Sequence, residues 1–325
     1  MKVKDYLKWA LKIPQLNKIQ REKCAAQLKL ASGEEQNIPP AIAQAVPECC
    51  PHCKHEKFWK YGFASGLQRW LCLDCNRSFN ALTGTPLARL RKKEKWLDNA
   101  KSMIAGETVR KTAAKCGVHY NTVFRWRHRF LLNQQQAQCK DLGGIAESDE
   151  TYFYRSQKGE KKLEREPRKR GGDKVGPGLS KELVPVLTLR DRSGHGADRV
   201  APEHLGNHAR ELYQGHLKND TLLITDGSPA LCAAAKSRGE SAHLALPGKE
   251  SRGSLESPYH LQTVNGFHAF LKNWMRRFHG VATKYLANYV GWHRHLAEST
   301  HQDDPNLFIK LSFRPLSVNP KLTMI

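Results

Sequence analysis

Two groups of residues have the types and spacing to do chemistry. The first is "CPHC", residues 50–53, followed after 18 residues by "CLDC", residues 72–75. Each CxxC turn offers two sulfurs on one side, so Cys50, Cys53, Cys72 and Cys75 can converge tetrahedrally on a structural zinc ion. Cys49, His52 and His55 stand near enough to replace one of the four. Paired cysteines also serve as redox couples or disulfides, but neither suits a cytoplasmic chain with two knuckles. The residues between, "KFWKYGFASGLQRWLC", mix aromatics with Lys and Arg and read as the strands of a zinc ribbon, whose metal substitutes for a core too small to stand alone.

The second group is acidic. "LLITDG", residues 222–227, is an apolar run that stops on Asp226 and a glycine, the common ending of a buried strand in a turn. "IAESDETYFY", residues 145–154, is a second strand, with Glu147 and Asp149 on one face and Glu150 on the other. If the two strands are adjacent, Asp149 and Asp226 meet at one edge of a sheet and offer the hard oxygen ligands that Mg²⁺ or Mn²⁺ takes. Two such ions about 4 Å apart activate an attacking oxygen on one side of a phosphorus and stabilise the leaving oxygen on the other. Glu147 is a secondary candidate that reads better as a surface acid.

These groups need elements to hold them. From Lys92 the apolar residues recur at helical spacing, interrupted at Gly106 and Gly117. Thr108 can cap a helix running to Lys115, and Gly117 fits the turn after it. Val123, Trp126 and Phe130 share one face of a second helix, leaving Asn121, Thr122, Arg125, Arg127, His128 and Arg129 largely on others. This is a helix-turn-helix whose basic second helix, near Tyr120 to Leu131, reads as the recognition helix. The Gln-rich "LLNQQQAQCKDLGG" reads as a linker. Beyond it come a strand pair, "LVPVLTLRDRSG" and "ADRVAP", then helices and strands in alternation, which indicates an α/β domain with a mixed sheet. The charged run at residues 155–174 reads either as a loop over a phosphate backbone or as a solvated loop.

The whole chain is multidomain: a basic helical segment at 1–45, zinc ribbon at 46–85, helix-turn-helix at 86–132, linker at 133–144, α/β domain at 145–300 and tail at 301–325. Its 325 residues carry a formal net charge of +22, which favours a polyanionic partner through release of condensed counterions. An anionic membrane surface is the rival, but no apolar stretch reaches the 18 or so residues of a spanning helix. The opening "MKVKDYLKWALKIP" is a basic amphipathic helix without a signal peptide's apolar centre, so the expected location is the cytoplasm.

Taken together, "ESDETYFY", "LLITDG" and "HLQTVNGFHAFLKNWMRRFHGVATKYLANYVGWHRH" resemble insertion-sequence transposases that join an N-terminal zinc ribbon and helix-turn-helix to a core like retroviral integrase or ribonuclease H. The resemblance runs from about Pro47 to His295. It implies a ribonuclease H-like domain with an acid triad whose first two members are Asp149 and Asp226. The third departs from the usual Glu: "NGFHAFLK" places Asn265 there, as in a branch with Asp, Asp, Asn and a following Lys, here Lys272. Asn265 brings a carbonyl oxygen but no charge, so one metal position is weaker, and a decayed copy is the alternative. Lys272 lies two turns on, about 10 Å along the same face, where it can contact a phosphate.

The implied activity is metal-dependent nicking at the 3′ ends of an inverted-repeat element and attack of those hydroxyls on target DNA. The expected DNA contacts are Asn121, Thr122, Arg125, Arg127 and Arg129, with Arg276, Arg277, Lys284, His293 and Arg294 adding phosphate affinity. Joining two ends implies a homodimer or larger assembly on double-stranded DNA. Two other readings stand: a DNA-binding regulator with an inactive integrase-like domain, and a nuclease that cuts without joining.

Overall fold

The computed structural model describes residues 15–17, 20, 38–163, 166, 182–239, 242–248, 257–298 and 304–315. The basic segment at 2–13 and half of the charged run at 155–174 lie outside them. The chain divides into two compact units, one within residues 1–102 and 305–315, the other within 103–304.

In the first unit a short helix, α1 (Pro40–Ala43), precedes an antiparallel sheet of β1 (Phe58–Ala64), β2 (Leu67–Cys72) and β3 (Ser78–Asn80) in that order. The register sets Phe58 against Cys72 and Trp70 against Phe79. Only one face has a core: Cys50, Trp70, Cys72 and Phe79 are buried, with Phe58 packed edge-on to Phe79 at 5.3 Å between ring centroids. Trp59, Tyr61 and Phe63 remain exposed on β1. So thin a core holds few apolar contacts, as the sequence leads one to expect of a metal-built ribbon. Helix α2 (Trp96–Ile104) then leads into the second unit.

There α3 (Val109–Cys116) begins at Thr108, whose side-chain oxygen accepts from the Lys111 amide at 3.4 Å, and ends at Gly117 in the left-handed region. Helix α4 (Tyr120–Gln136) follows, capped at its start by His119. It is longer than the sequence suggests, because the Gln stretch read as a linker continues it and buries Leu131, Asn133 and Gln134. Val123, Trp126 and Phe130 face inward as their spacing requires.

The sheet of this unit comprises β4 (Ile145–Tyr154), β5 (Leu183–Asp191), β6 (Gly196–Val200), β7 (Leu222–Thr225) and β8 (His243–Ala245), with α5 (Leu205–His216) and α6 (Pro229–Lys236) between the later strands. The spatial order is β6-β5-β4-β7-β8; the first three are antiparallel, and β7 and β8 run parallel to β4. The expected mixed sheet is therefore present, with β4 at its centre. One face packs on α5 and α6 through Ala146, Leu187, Leu189, Leu212, Leu223 and Leu231. The other is covered by α7 (Gln262–Arg276), where Leu261 and Val264 meet Ile224. Helix α8 (Leu286–Glu298) lies beyond and packs on α4. Gly291 makes that crossing close: a Cβ there would stand 2.6 Å from the Gln135 Cα. Arg294, buried on α8, ion-pairs with Asp198 and donates to the carbonyls of Gln134 at 2.7 Å and Ala137 at 3.2 Å, satisfying the open C-terminal end of α4. In the tail of the chain, α9 (Pro305–Ser312) packs with α1 in the first unit.

Candidate active site

The parallel pairing of β4 with β7 aligns Ser148 with Thr225. One residue further, the same register sets Asp149 beside Asp226, which answers whether the Asp-Gly ending is only a turn. It is a turn as well: one Asp226 oxygen accepts from the Ser228 amide at 2.9 Å, ahead of α6. Ligand oxygens of Asp149, Glu150 and Asp226 all lie within 4.8 Å of one another. Glu150 was expected on the opposite face and joins the cluster nonetheless. Strand β7 stops at Thr225, so past Ser148 β4 has no neighbour on that side and side chains of both faces reach the sheet's end. Strand alternation alone hides this, since it assumes a partner along the full length.

Three carboxylates in one place repel, and Asp149 and Glu150 show it in their protonation. Burial first, then the charges of Glu150 and Asp226, push the Asp149 carboxyl up to about 7, while the Glu150 amide and Lys272 pull the other way. Burial and Asp226 also raise Glu150, opposed by the Tyr152 hydroxyl that donates to it at 3.0 Å. A site of this charge and donor chemistry suits a hard divalent cation.

Helix α7 supplies the rest. His268 sits with Nδ1 3.8 Å from an Asp149 oxygen, and burial followed by the charge of Lys272 pushes its imidazole down to about 4. Asn265 and Lys272 lie along the exposed edge of the same helix, one turn on either side of His268. The structure thus brings Asp149, Asp226 and the charge of Lys272 together and sets Asn265 on the adjoining helix edge. His268 was missed because a histidine inside an apolar helical pattern carries no signal of its own.

Glu147 is not a surface acid. It is wholly buried, its Oε2 accepts the Val264 amide of α7 at 2.9 Å, and its Oε1 pairs with Arg192 at 2.9 Å.

The expected DNA face also changes. Asn121 and Arg125 are exposed on α4, with Thr122 and Arg129 half-buried beside them. Arg127 is buried instead, its guanidinium 4.9 Å from the Trp292 ring and donating to the Glu107 carbonyl at 2.6 Å. His128 stacks on Tyr285 at 3.8 Å. The cause is the second packed face of α4: a two-helix motif alone buries one side, whereas here α8 takes another. His293 and Arg294 are buried too and cannot meet DNA. Arg277, though exposed, donates to the Gly106 carbonyl at 3.2 Å, while Arg276 and Lys284 are exposed.

In the first unit the sulfurs of Cys50, Cys53, Cys72 and Cys75 lie within 4.8 Å of one another, with Cys50 and Cys75 3.7 Å apart and Cys53 and Cys72 3.5 Å apart. Cys49, His52 and His55 are not in that group. Four thiols so placed suit a thiophilic tetrahedral ion.

Comparison with known proteins agrees in class. Residues 141–292 match the family model described as an ISXO2-like transposase domain, and residues 88–137 match a homeodomain-like domain. The sheet unit is thus similar to transposases, and the helices before it to DNA-binding domains. One relative is an uncharacterized protein in the transposable element ISH50 of Halobacterium salinarum, 29% identical over 249 residues, which cover 74% of this chain and 82% of the relative. Among solved structures, a pre-cleavage Mos1 transpososome is matched at 14% identity over 64% of this chain and 75% of that one, with a TM-score of 0.22, a level that does not establish a shared fold. Among the described residues no helix is long and apolar enough to cross a membrane.

Proposed function

We propose that the chain is the transposase of an insertion sequence, cutting 3′ ends at terminal inverted repeats and joining them to target DNA with a divalent metal. The observation that carries it is the meeting of Asp149, Glu150 and Asp226 at the end of β4 and β7, inside a segment similar to a transposase domain. The mixed sheet order supports a ribonuclease H-like core. Asp149 and Asp226 would hold Mg²⁺ or Mn²⁺, with Glu150 beside them and Asn265 as a neutral auxiliary ligand. When bound, the metal supplies Lewis acidity toward the attacking and leaving oxygens. Lys272 would bind a DNA phosphate next to the site. His268, which burial keeps neutral at physiological pH, offers Asp149 no ion pair, and a bound cation would draw the raised Asp149 carboxyl into its ionised form.

DNA recognition falls to Asn121, Thr122, Arg125 and the half-exposed Arg129, with Arg276 and Lys284 holding phosphates. Cys50, Cys53, Cys72 and Cys75 would bind one structural Zn²⁺. Joining two ends requires two active sites, so the working form is a dimer or larger. The test is a strand-transfer assay on the ends flanking the gene with Mg²⁺ or Mn²⁺, beside Asp226→Asn and Asn265→Ala. Joined products lost in Asp226→Asn support the reading; DNA binding with neither cutting nor joining by the unmodified chain would favour a regulator.

A further inference from the structure

Helix α7 carries Asn265 and Lys272, yet its own sequence does little to start it. Leu261 occupies the N-cap position and makes no side-chain capping bond. The open amides at a helix start need acceptors, and here they come from outside the helix. Gln262 donates to His260 Nδ1 at 3.1 Å, and Val264 donates to Glu147 Oε2, a residue 117 positions earlier in the chain. The Glu147 carboxylate therefore sits, fully buried, at the positive end of the α7 dipole. Its other oxygen holds Arg192, which in turn grips the segment before α7 through the carbonyls of Pro258 at 3.1 Å and His260 at 3.4 Å.

Burying a carboxylate against an exposed arginine is a poor way to gain stability, since apolar residues of equal volume often do as well. What it gives here is a fixed position. Glu147 stands two residues before Asp149 on β4, about 7 Å along the strand, and Asn265 directly follows the amide that Glu147 holds. We propose that Glu147 is a positioning residue: its carboxylate fixes the first turn of α7, and so holds Asn265 and Lys272 in place relative to Asp149 and Asp226. This rests on the transposase reading above, since positioning matters only if those residues act together.

The experiment compares Glu147→Gln, which keeps an acceptor for the Val264 amide but loses the charge, with Glu147→Ala, which loses both. Nicking of the flanking DNA ends should fall about tenfold in the first and about a hundredfold in the second, as a displacement near 1 Å can cost that much. The loss should fall mainly on kcat, with the KM for DNA and the Mn²⁺ affinity each weakened by less than about fivefold, because Asp149 and Asp226 keep their places on the sheet while only Asn265 and Lys272 shift. In a Lys272→Ala background, Glu147→Ala should cost about threefold less than it does alone, because the helix then has Asn265 but no longer Lys272 to position. An equal penalty in both backgrounds, or full activity in Glu147→Ala, overturns the proposal. Hydrogen exchange at Val264 gives a readout without catalysis: protection should drop in Glu147→Ala and partly survive in Glu147→Gln, and unchanged protection in both also overturns it. If Asp226→Asn nicks as fast as the unmodified chain, the transposase reading itself fails. Glu147 then loses the reaction it is proposed to serve, and the exchange result speaks for the tether alone.

Discussion

In the ribbon, four sulfurs come from two turns 18 residues apart, on a sheet with one thin apolar face. In the second unit, three carboxylates come from neighbouring strands far apart in sequence, on a sheet covered on both faces. Both gather ligand atoms within 4.8 Å. The ribbon has too little core to hold its sulfurs against one another, so on the proposed reading an ion would build that fold. The sheet unit has core to spare, so there the fold would build the ion site. One cluster is a staple and the other a tool, and each can be broken without the other.

The largest break is metal removal from the ribbon. Structural zinc is worth about 10 kcal/mol or more to a small site, so a chelator should unfold β1 to β3 outright while β4 to β7 keep their amide protection. Metal analysis should find one zinc per chain beforehand; ribbon amides that stay protected after stripping would sink the idea. Next comes Asp226→Asn, which keeps an acceptor for the Ser228 amide and so should leave the unfolding midpoint unchanged. Its nicking rate should drop on the order of a thousandfold, the worth of several kcal/mol of metal-supplied stabilisation. A variant with normal cutting would remove Asp226 from the ion site.

Smaller effects probe how the second unit holds charge by packing. Arg127→Ala should cost about 3 kcal/mol in denaturant unfolding, for a buried cation lost from between Trp292 and the Glu107 carbonyl. Arg125→Ala should leave stability alone and lower the salt slope of DNA binding by about one. Reversed outcomes would mean that the packed face of α4 is misassigned. The smallest effect is a pH one. Burial, then the charges of Arg127 and Lys284, push His128 down to about 3, against 6.5 in the unfolded chain. Unfolding between those values takes up a proton, so the stability from keeping His128 neutral is present above about 6.5 and lost as pH falls. His128→Gln should therefore lose about 2 kcal/mol less than the unmodified chain between pH 7 and pH 5. Parallel curves for the two would refute the buried, neutral state.

The sequence made the ribbon legible because its ligands are local: the CxxC spacing is itself the geometry. Asp226 was legible because an acid ending an apolar run is visible in one dimension, and Asp149 because strand alternation sets it on one face of a second strand. Glu150 was not, since its arrival depends on where a neighbouring strand stops. Arg127 and His128 were misplaced for a related reason: helical spacing shows that α4 has an apolar face, and only α8 determines that it has a second buried one. Glu147 is the sharpest case, an acid on the Asp149 face of its strand that read better as a surface group and that a helix from elsewhere encloses.

The close crossing at Gly291, with Arg294 closing the end of α4, has a consequence for DNA geometry. It ties the helix that carries Asn121 and Arg125 to the same compact unit as the carboxylates. On the proposed transposase reading the molecule would work as a calliper, one jaw on a recognised sequence and the other on a phosphate. One base pair inserted between the two would turn the scissile bond by roughly a tenth of a helical turn and shift it about 3.4 Å, so the cut should keep its distance from the recognised sequence rather than follow the element's end.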